Sequence, residues 1–160
     1  MMAVTSKGDS KGSPTSKETA LEMLDNQETC TLATASADGV PEAATVRYVY
    51  DDDLNVYINT GSTYRKYQNM KENSNVAIVV NSPPQNLQLE GQAREVHDEV
   101  IEFIKTKYVD KYGRSKYLTN DESVFFEINT DWARLLVDGR FPPEHEMVIG
   151  DGDVDPHNEL

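Results

Sequence analysis

The sequence predicts a mainly β fold, an antiparallel barrel of six or seven strands with α-helices at the joins between strands. Two observations lead to this prediction. Short segments in which apolar and polar residues alternate recur along the chain, and this is the period of strands with one buried face. Tight turns such as residues 37–39 and 51–53 join these segments, and strands joined so closely pair as antiparallel hairpins.

The bulk composition indicates one acidic domain. The chain has 160 residues, which is enough for a substantial core, and its formal net charge is −13. Because such a field repels nucleic acid and anionic lipid, we expect neither as a partner. The single cysteine, Cys30, excludes a disulfide within the chain. With no signal-peptide pattern and no apolar run long enough for a membrane span, we expect a cytoplasmic protein.

The first third of the chain predicts a helix and two strands. Residues 1–14 are rich in Ser, Lys and Gly, and we expect a disordered lead there. The next four residues, Thr-Ser-Lys-Glu, have the pattern of a capping box, which predicts a short helix. Strands are predicted at residues 29–36 and 43–50. Arg47 lies inside the second, where an unpaired buried charge is costly, so it needs an anion or an edge position.

The stretch at residues 54–71 changes from a strand to a helix. Alternation over its first part predicts a strand, a Thr-Gly-Ser turn ends that strand, and Ser62 or Thr63 can cap the helix that follows. Arg65 and Lys66 then lie in the first helical turn, where the helix dipole opposes cations. We therefore expect an anion at this helix end, and phosphate is the usual one.

The second half of the chain predicts two further strands, a helix and a final hairpin. The strands are expected at residues 76–81 and 86–96, and the helix begins at Asp98 and ends at Gly113. Segments 124–129 and 132–138 predict the last hairpin. The resulting division is a barrel domain at residues 15–140 and an acidic C-terminal tail at residues 141–160.

Four segments in this order resemble the pyridoxamine 5'-phosphate oxidase-like FMN-binding split barrels. They read LATASADGVP at 32–41, VRYV at 46–49, NTGSTYRK at 59–66 and LQLEGQA at 87–93. The likeness extends over roughly residues 18–138. It implies a split β-barrel that binds FMN in a groove between the two subunits of a homodimer.

The resemblance also implies a set of FMN-binding residues. Three consecutive residues of the second strand line the flavin and reach its phosphate or ring, while Asn59 and Thr60 offer main-chain groups to the isoalloxazine. Arg65 and Lys66 hold the phosphate, next to the turn that precedes them. Asn86 stands where the oxidases have a glutamine from the second subunit. The full set is Arg47, Tyr48, Val49, Asn59, Thr60, Ser62, Thr63, Arg65, Lys66 and Asn86.

The chain departs from the true oxidases near its C-terminal end. Those enzymes have a tryptophan near the flavin and an Arg-x-His segment that grips pyridoxal phosphate. Leu136 stands near the tryptophan position, and residues 138–142 contain no such segment. The resemblance therefore carries over the fold and the flavin site but not the vitamin B6 chemistry.

The predicted function is that of an FMN-dependent oxidoreductase acting on an unknown small substrate, with no side chain assigned a catalytic role. Two alternatives stay open: a non-enzymatic flavin-binding or sensor protein, and a deazaflavin-dependent reductase. Heme binding also occurs in this superfamily, but no histidine stands out as an axial ligand. No metal site is predicted, because His97, His145 and His157 have no ligand spacing.

Overall fold

The structure is a computed structural model, and it describes residues 14–151. Of the predicted lead at residues 1–14, residues 1–13 lie outside the described part. The first helix, α1 (Ser16–Asn26), begins with the predicted capping box. Thr15 Oγ1 accepts a hydrogen bond from Glu18 N at 3.1 Å, and Glu18 Oε1 accepts one from Thr15 N at 2.8 Å. Two main-chain donors that the helix itself cannot satisfy are thus paired.

Strands make up most of the described chain, and three α-helices lie at the joins. The helices after α1 are α2 (Arg65–Glu72) and α3 (Glu99–Tyr112), and a 3₁₀ turn (Lys116–Leu118) follows α3. The strands are β1 (Thr29–Ala35), β2 (Pro41–Arg47), β3 (Val49–Tyr50), β4 (Val56–Gly61), β5 (Asn75–Ser82), β6 (Gln85–Glu95), β7 (Ser123–Asp138) and β8 (Glu144–Ile149).

The strands form one antiparallel sheet in the order β2-β1-β5-β6-β7-β4-β3, and β8 adds to β7. Only Tyr48 separates β2 from β3, so the two ends of this order belong to one extended segment. The sheet therefore curls round and returns to its starting strand as a barrel. The predicted mainly β, split-barrel fold is confirmed.

Two apolar cores lie on opposite faces of the sheet. The larger one fills the barrel, and its fully buried members include Leu32, Ile58, Ile78, Leu89 and Phe126. The smaller core lies between the sheet and α3, and it comprises Val49, Tyr57, Val96, Ile104, Tyr108, Leu118 and Phe125. Because successive strand residues point to opposite faces, β4 contributes to both cores and holds α3 against the barrel.

The predicted hairpin after residue 123 is wrong, because β7 is one continuous strand of 16 residues. Gly91 of β6 pairs with Thr130, but Glu90 pairs with Trp132, which leaves Asp131 as the extra residue of a β-bulge. A Cβ on Gly91 would lie 2.2 Å from the main-chain oxygen of Asn129. The close approach of β6 to β7 at the bulge therefore requires glycine.

The segment after Phe141, expected to be an acidic tail, contributes the strand β8. Its residues pair with the second half of β7, from Ala133 to Asp138. Ser16 of α1 donates a hydrogen bond to the main-chain oxygen of Met147 at 3.3 Å, so β8 also contacts the first helix. Residues 152–160 lie outside the described part. Within that part, no helix combines the length and apolarity needed to cross a membrane.

Candidate functional site

A cavity of about 380 Å³ lies where the β3–β4 ladder stops. One wall comes from the end of β2, the end of β4 and the start of α2. The opposite wall comes from the end of α3 and the chain that follows it. The lining residues that carry the discussion below are Arg47, Asn59, Thr60, Tyr64, Lys66, Tyr108, Tyr112, Ser115, Tyr117, Leu118 and Glu122.

Two tyrosines of α3 bridge the gap beside this cavity. The Tyr108 hydroxyl accepts a hydrogen bond from Asn59 N at 3.1 Å and donates one to Arg47 O at 3.0 Å. The Tyr112 hydroxyl accepts from Tyr48 N at 3.0 Å and lies 2.6 Å from Tyr48 O. The Tyr108 hydroxyl takes the place of a main-chain ladder bond between β2 and β4, while the Tyr112 hydroxyl pairs the main chain at Tyr48. The two strands can therefore separate here without leaving these main-chain groups unpaired.

Burial also favours the neutral form of these two hydroxyls. It raises the pKa of Tyr112 to about 12, and it raises the pKa of Tyr108 well above its usual value. The physical cause is that a phenolate would lose its hydration inside the protein. Both side chains therefore remain neutral hydrogen-bond donors at physiological pH, as the bridging geometry requires.

The two cations on the cavity wall are held by aromatic rings. The Arg47 guanidinium lies 4.8 Å from the centroid of the Tyr112 ring, and Lys66 Nζ lies 4.8 Å from the centroid of the Tyr64 ring. Among residues 14–151 neither cation takes part in an ion pair, whereas Arg65, Lys71, Arg94 and Arg140 do. The charges of Arg47 and Lys66 are thus available to an anionic ligand.

Helix α2 begins at Arg65, with Tyr64 as its N-cap residue and no side-chain capping bond. The prediction that Ser62 or Thr63 caps this helix is therefore wrong. Ser62 instead donates its main-chain N–H to Glu122 O at 2.9 Å, which ties the turn to the chain before β7. The N–H of Tyr67 already donates to Tyr64 O at 3.1 Å, so the N–H groups of Arg65 and Lys66 are the ones left for solvent or a ligand, in the electrostatic setting that suits an anion.

The structure brings together four residues of the predicted FMN site, namely Arg47, Asn59, Thr60 and Lys66, on one cavity. The side-chain amide of Asn59 is engaged with Ser123 Oγ at 2.6 Å. The buried hydroxyl of Thr60 has no hydrogen-bond partner in the described part of the chain. An unpartnered buried hydroxyl on a cavity wall is a group that a polar ligand can satisfy.

The other predicted residues do not line the cavity. Tyr48 is fully buried, and its hydroxyl donates to Leu24 O at 2.6 Å at the end of α1. Val49 is buried in the smaller core. Arg65 extends toward Glu42, with Nε 3.9 Å from Oε2. The remaining three, Ser62, Thr63 and Asn86, are absent from the lining, and Asn86 pairs with Leu136 on the far side of the sheet.

Sequence reasoning missed the α3 side of the cavity. The amphipathic pattern of the helix predicts only that Tyr108 points inward, and it assigns no role to Tyr112, Ser115 or Tyr117. A signal was present, because Tyr108 and Tyr112 lie four residues apart on one helix face. A buried tyrosine hydroxyl requires a hydrogen-bond partner, and two of them on one face indicate a polar site opposite.

A sequence model of the family described as pyridoxamine 5'-phosphate oxidase matches residues 16–136. The chain belongs to the pyridoxamine 5'-phosphate oxidase family. The match includes the strands that line the cavity and all of α2 and α3, and it ends before β8. None of the curated proteins compared with the chain matches it.

Solved structures agree on the family's fold. A heme binding protein from Mycobacterium smegmatis has a TM-score of 0.74 at 16% identity, over 86% of this chain and 59% of that one. A putative pyridoxamine 5'-phosphate oxidase from Listeria innocua has a TM-score of 0.63 at 21% identity, over 75% of this chain and 97% of that one. An F420 reductase has a TM-score of 0.59 at 21% identity, over 70% of this chain and 93% of that one. At these identities the likeness shows the fold alone.

Proposed function

We propose that this chain binds FMN in the cavity and acts as an oxidoreductase, exchanging electrons between a reduced donor and a small acceptor. The observation that carries the proposal is the pair of cations, Arg47 and Lys66, on the wall of the cavity. They have no carboxylate partner among residues 14–151, although the whole chain has a net charge of −13. Family membership makes a flavin the first candidate for the ligand.

The cavity residues fit the two ends of FMN. The phosphate is assigned to Lys66 and the uncapped start of α2, where a cation and unpaired N–H groups converge. The flavin ring is assigned to the space between β4 and the α3 tyrosines, beside Arg47. Bound FMN would supply the redox chemistry, while the chain would hold the ring, shield it from water and tune it through nearby charge. Tyr108 and Tyr112 act as positioning residues, because they fix the main chain at Arg47 and Tyr48.

A homodimer is part of this proposal, because the resemblance implies a groove completed by a second subunit. The sequence predicts the dimer surface on the strands that carry Tyr48, Tyr50 and residues 76–80. The structure removes Tyr48 from that surface, since it is fully buried. The sheet face formed by β2, β1 and β5 offers small or apolar side chains outward, including Ala43 and the partly exposed Val79. Light scattering should give about twice the 18.0 kDa chain mass.

The heme alternative receives no support from the cavity. Of the two histidines in the described part, His97 and His145, neither lines it. A deazaflavin also carries a phosphate, so the same cations would serve the reductase alternative, and the F420 reductase shares the fold. A non-enzymatic flavin carrier would use the same site without turnover.

The absorbance spectrum of the purified protein, with the mass of any released cofactor, tests the proposal directly. The expected result is a flavin spectrum and the mass of FMN. A heme spectrum, or the mass of a deazaflavin, would show that the protein binds that cofactor and not FMN. Turnover of a reduced nicotinamide donor with an electron acceptor then separates the oxidoreductase from a flavin carrier or sensor, which would show FMN but no turnover.

A further inference from the structure

A second, open groove adjoins the flavin cavity on the outer side of α3. It is lined by four α3 residues (Lys105, Thr106, Val109 and Asp110) and by residues 114–116, 118 and 119 after the helix. Ser115 and Leu118 line both the groove and the cavity. The two spaces therefore share the short segment that follows α3 as a wall, and a ligand that extends past this segment contacts both.

The groove carries positive charge in a strongly acidic protein. Three of its side chains are cations, Lys105, Arg114 and Lys116, and they face one carboxylate, Asp110. None of the three cations forms an ion pair with any residue in 14–151. Together with Arg47 and Lys66 they form a cationic border of five residues, and the carboxylates Asp110 and Glu122 line the same two spaces.

This border is informative because carboxylates greatly outnumber cations in the chain, 28 to 15. Some cations of the described chain pair with a carboxylate, as Lys71 does with Glu95 and Arg94 with Glu127, whereas the three groove cations do not. Cations that share a groove without such partners create a local field that attracts a multiply charged anion. The groove has one free hydroxyl donor as well, because Ser115 Oγ accepts from Tyr117 N and keeps its hydrogen for a phosphate oxygen. The hydroxyls of Thr106 and Thr119 already donate to main-chain oxygens.

We propose that the groove binds the diphosphate of a nicotinamide dinucleotide whose nicotinamide end reaches the flavin cavity past Ser115 and Leu118. The dinucleotide's role as electron donor rests on the proposed function, whereas its binding to the groove does not. Two adjacent phosphates match three nearby cations better than the single phosphate of FMN does. Charge-assisted hydrogen bonds from Arg114 and Lys116 provide the affinity.

Isothermal titration of the full-length protein with NADP⁺ tests this assignment without any turnover. The double variant Arg114→Gln/Lys116→Gln removes two groove cations whose side chains are exposed, so folding should be unaffected. Loss of two charge-assisted contacts should weaken NADP⁺ binding roughly 100-fold. The matched control, Lys17→Gln/Arg140→Gln, removes the same charge on α1 and the β7–β8 turn, and it should bind NADP⁺ like the wild type.

Each outcome has a definite meaning. If both double variants lose the same NADP⁺ affinity, the effect comes from net charge and not from the groove. If the wild type does not bind NADP⁺, the groove is not a dinucleotide site. Either result overturns the inference. Inorganic pyrophosphate that binds as tightly as NADP⁺ would overturn the dinucleotide assignment in favour of a simple anion site. FMN titrations are run on the same proteins. Groove-dependent NADP⁺ binding without any FMN binding would sustain this inference while the proposed function fails.

Discussion

The hydroxyl of Tyr108 donates a hydrogen bond to the main-chain oxygen of Arg47 over 3.0 Å, which ties α3 to the last residue of β2. The main-chain N–H of Asn59 donates to the same hydroxyl from the other side of the gap. One phenol thus holds both strands that border the cavity. The position of the Arg47 cation depends on a helix that lies 61 residues further along the chain.

Replacing Tyr108 by Phe should destabilise the protein by about 1–3 kcal/mol, because a donor and an acceptor at the gap lose their partner while the ring stays in place. Urea unfolding measures this change. Tyr117→Phe is the matched control, since that residue lines the same cavity but is 72% exposed. A Tyr108→Phe protein as stable as Tyr117→Phe would show that the bridge contributes nothing to stability.

Lys66→Ala should weaken FMN binding by about one to two powers of ten and leave riboflavin binding nearly unchanged, because riboflavin lacks the phosphate. Added salt should lower the FMN affinity of the wild type more steeply than that of the variant. Fluorescence titration gives all four affinities. Arg65→Ala is the control: it lies in the same helical turn but is directed toward Glu42 and should change FMN affinity little. Equal losses for both ligands would place Lys66 at the ring.

Gly91→Ala should cost about 3 kcal/mol or more, since the new Cβ would meet the main-chain oxygen of Asn129 at 2.2 Å. Both strands are central in the barrel, so neither can move away without breaking other pairs. Gly61→Ala is the comparison, because its Cβ would meet only the Tyr64 ring at 3.6 Å. Thermal and urea unfolding of the two variants test the difference, and similar stabilities would contradict the requirement for glycine at the bulge.

Burial lowers the pKa of Lys111 to about 8. Attraction by Asp25, Cys30 and Glu28 raises this pKa, but it is the smaller effect. Its ammonium also donates to Leu24 O at 3.1 Å. Between pH 8 and the usual lysine value of 10.5, the unfolded chain keeps a proton that the folded protein has lost. The free energy of unfolding therefore gains a rising contribution from this residue across that window. Below pH 8 the cost of burying the charge is present in full.

Urea unfolding of the wild type and Lys111→Met between pH 8 and 10 measures this contribution. The stability of the wild type relative to the variant should increase with pH. Burial raises the pKa of Cys30 to about 12 and also raises those of several tyrosines, so those groups act in the opposite direction. They are present in both proteins, so the difference reports Lys111 together with its coupling to Cys30, whose pKa the Lys111 charge lowers. A difference that stays flat with pH would mean that Lys111 titrates like an exposed lysine.

Pyridoxamine 5'-phosphate should not be a good substrate. The segment in which the oxidases are expected to grip pyridoxal phosphate here forms the β7–β8 hairpin, where Arg140 pairs with Asp138 at 2.7 Å. An assay of pyridoxal phosphate formation with saturating FMN should give turnover near background. Robust turnover would require a substrate site built from other residues.

Sequence periodicity located most strands well, because burial of one face imposes a period of two wherever the strand pairs. It failed at residues 130–132, where polar residues resemble a turn. Only the pairing of Gly91 with Thr130 and of Glu90 with Trp132 reveals a bulge instead. The information that decides this point lies in β6, about 40 residues earlier in the chain, and no local pattern contains it.

The sequence predicted residues on one wall of the cavity and none on the α3 wall, for a related reason. The local pattern placed Arg65 and Lys66 together in the first turn of α2, but consecutive helical residues point about 100° apart, so both cannot face one cavity. In the structure Lys66 lines the cavity, whereas Arg65 pairs with Glu42. The α3 wall was missed because the pattern around Tyr108 indicates only an apolar face, and its contact with Arg47 arises from the tertiary fold.

The strand β8 has a consequence for aggregation. On one edge β7 pairs with β6, and on the other it pairs with β4 through residues 123–128 and with β8 through Ala133–Asp138. A chain cut at residue 136 or 141 would leave the second half of this edge open, with N–H and C=O groups free to recruit a strand from another molecule. Although the family match ends before β8, that strand covers this part of β7 and replaces its open edge by the edge of a strand of six residues.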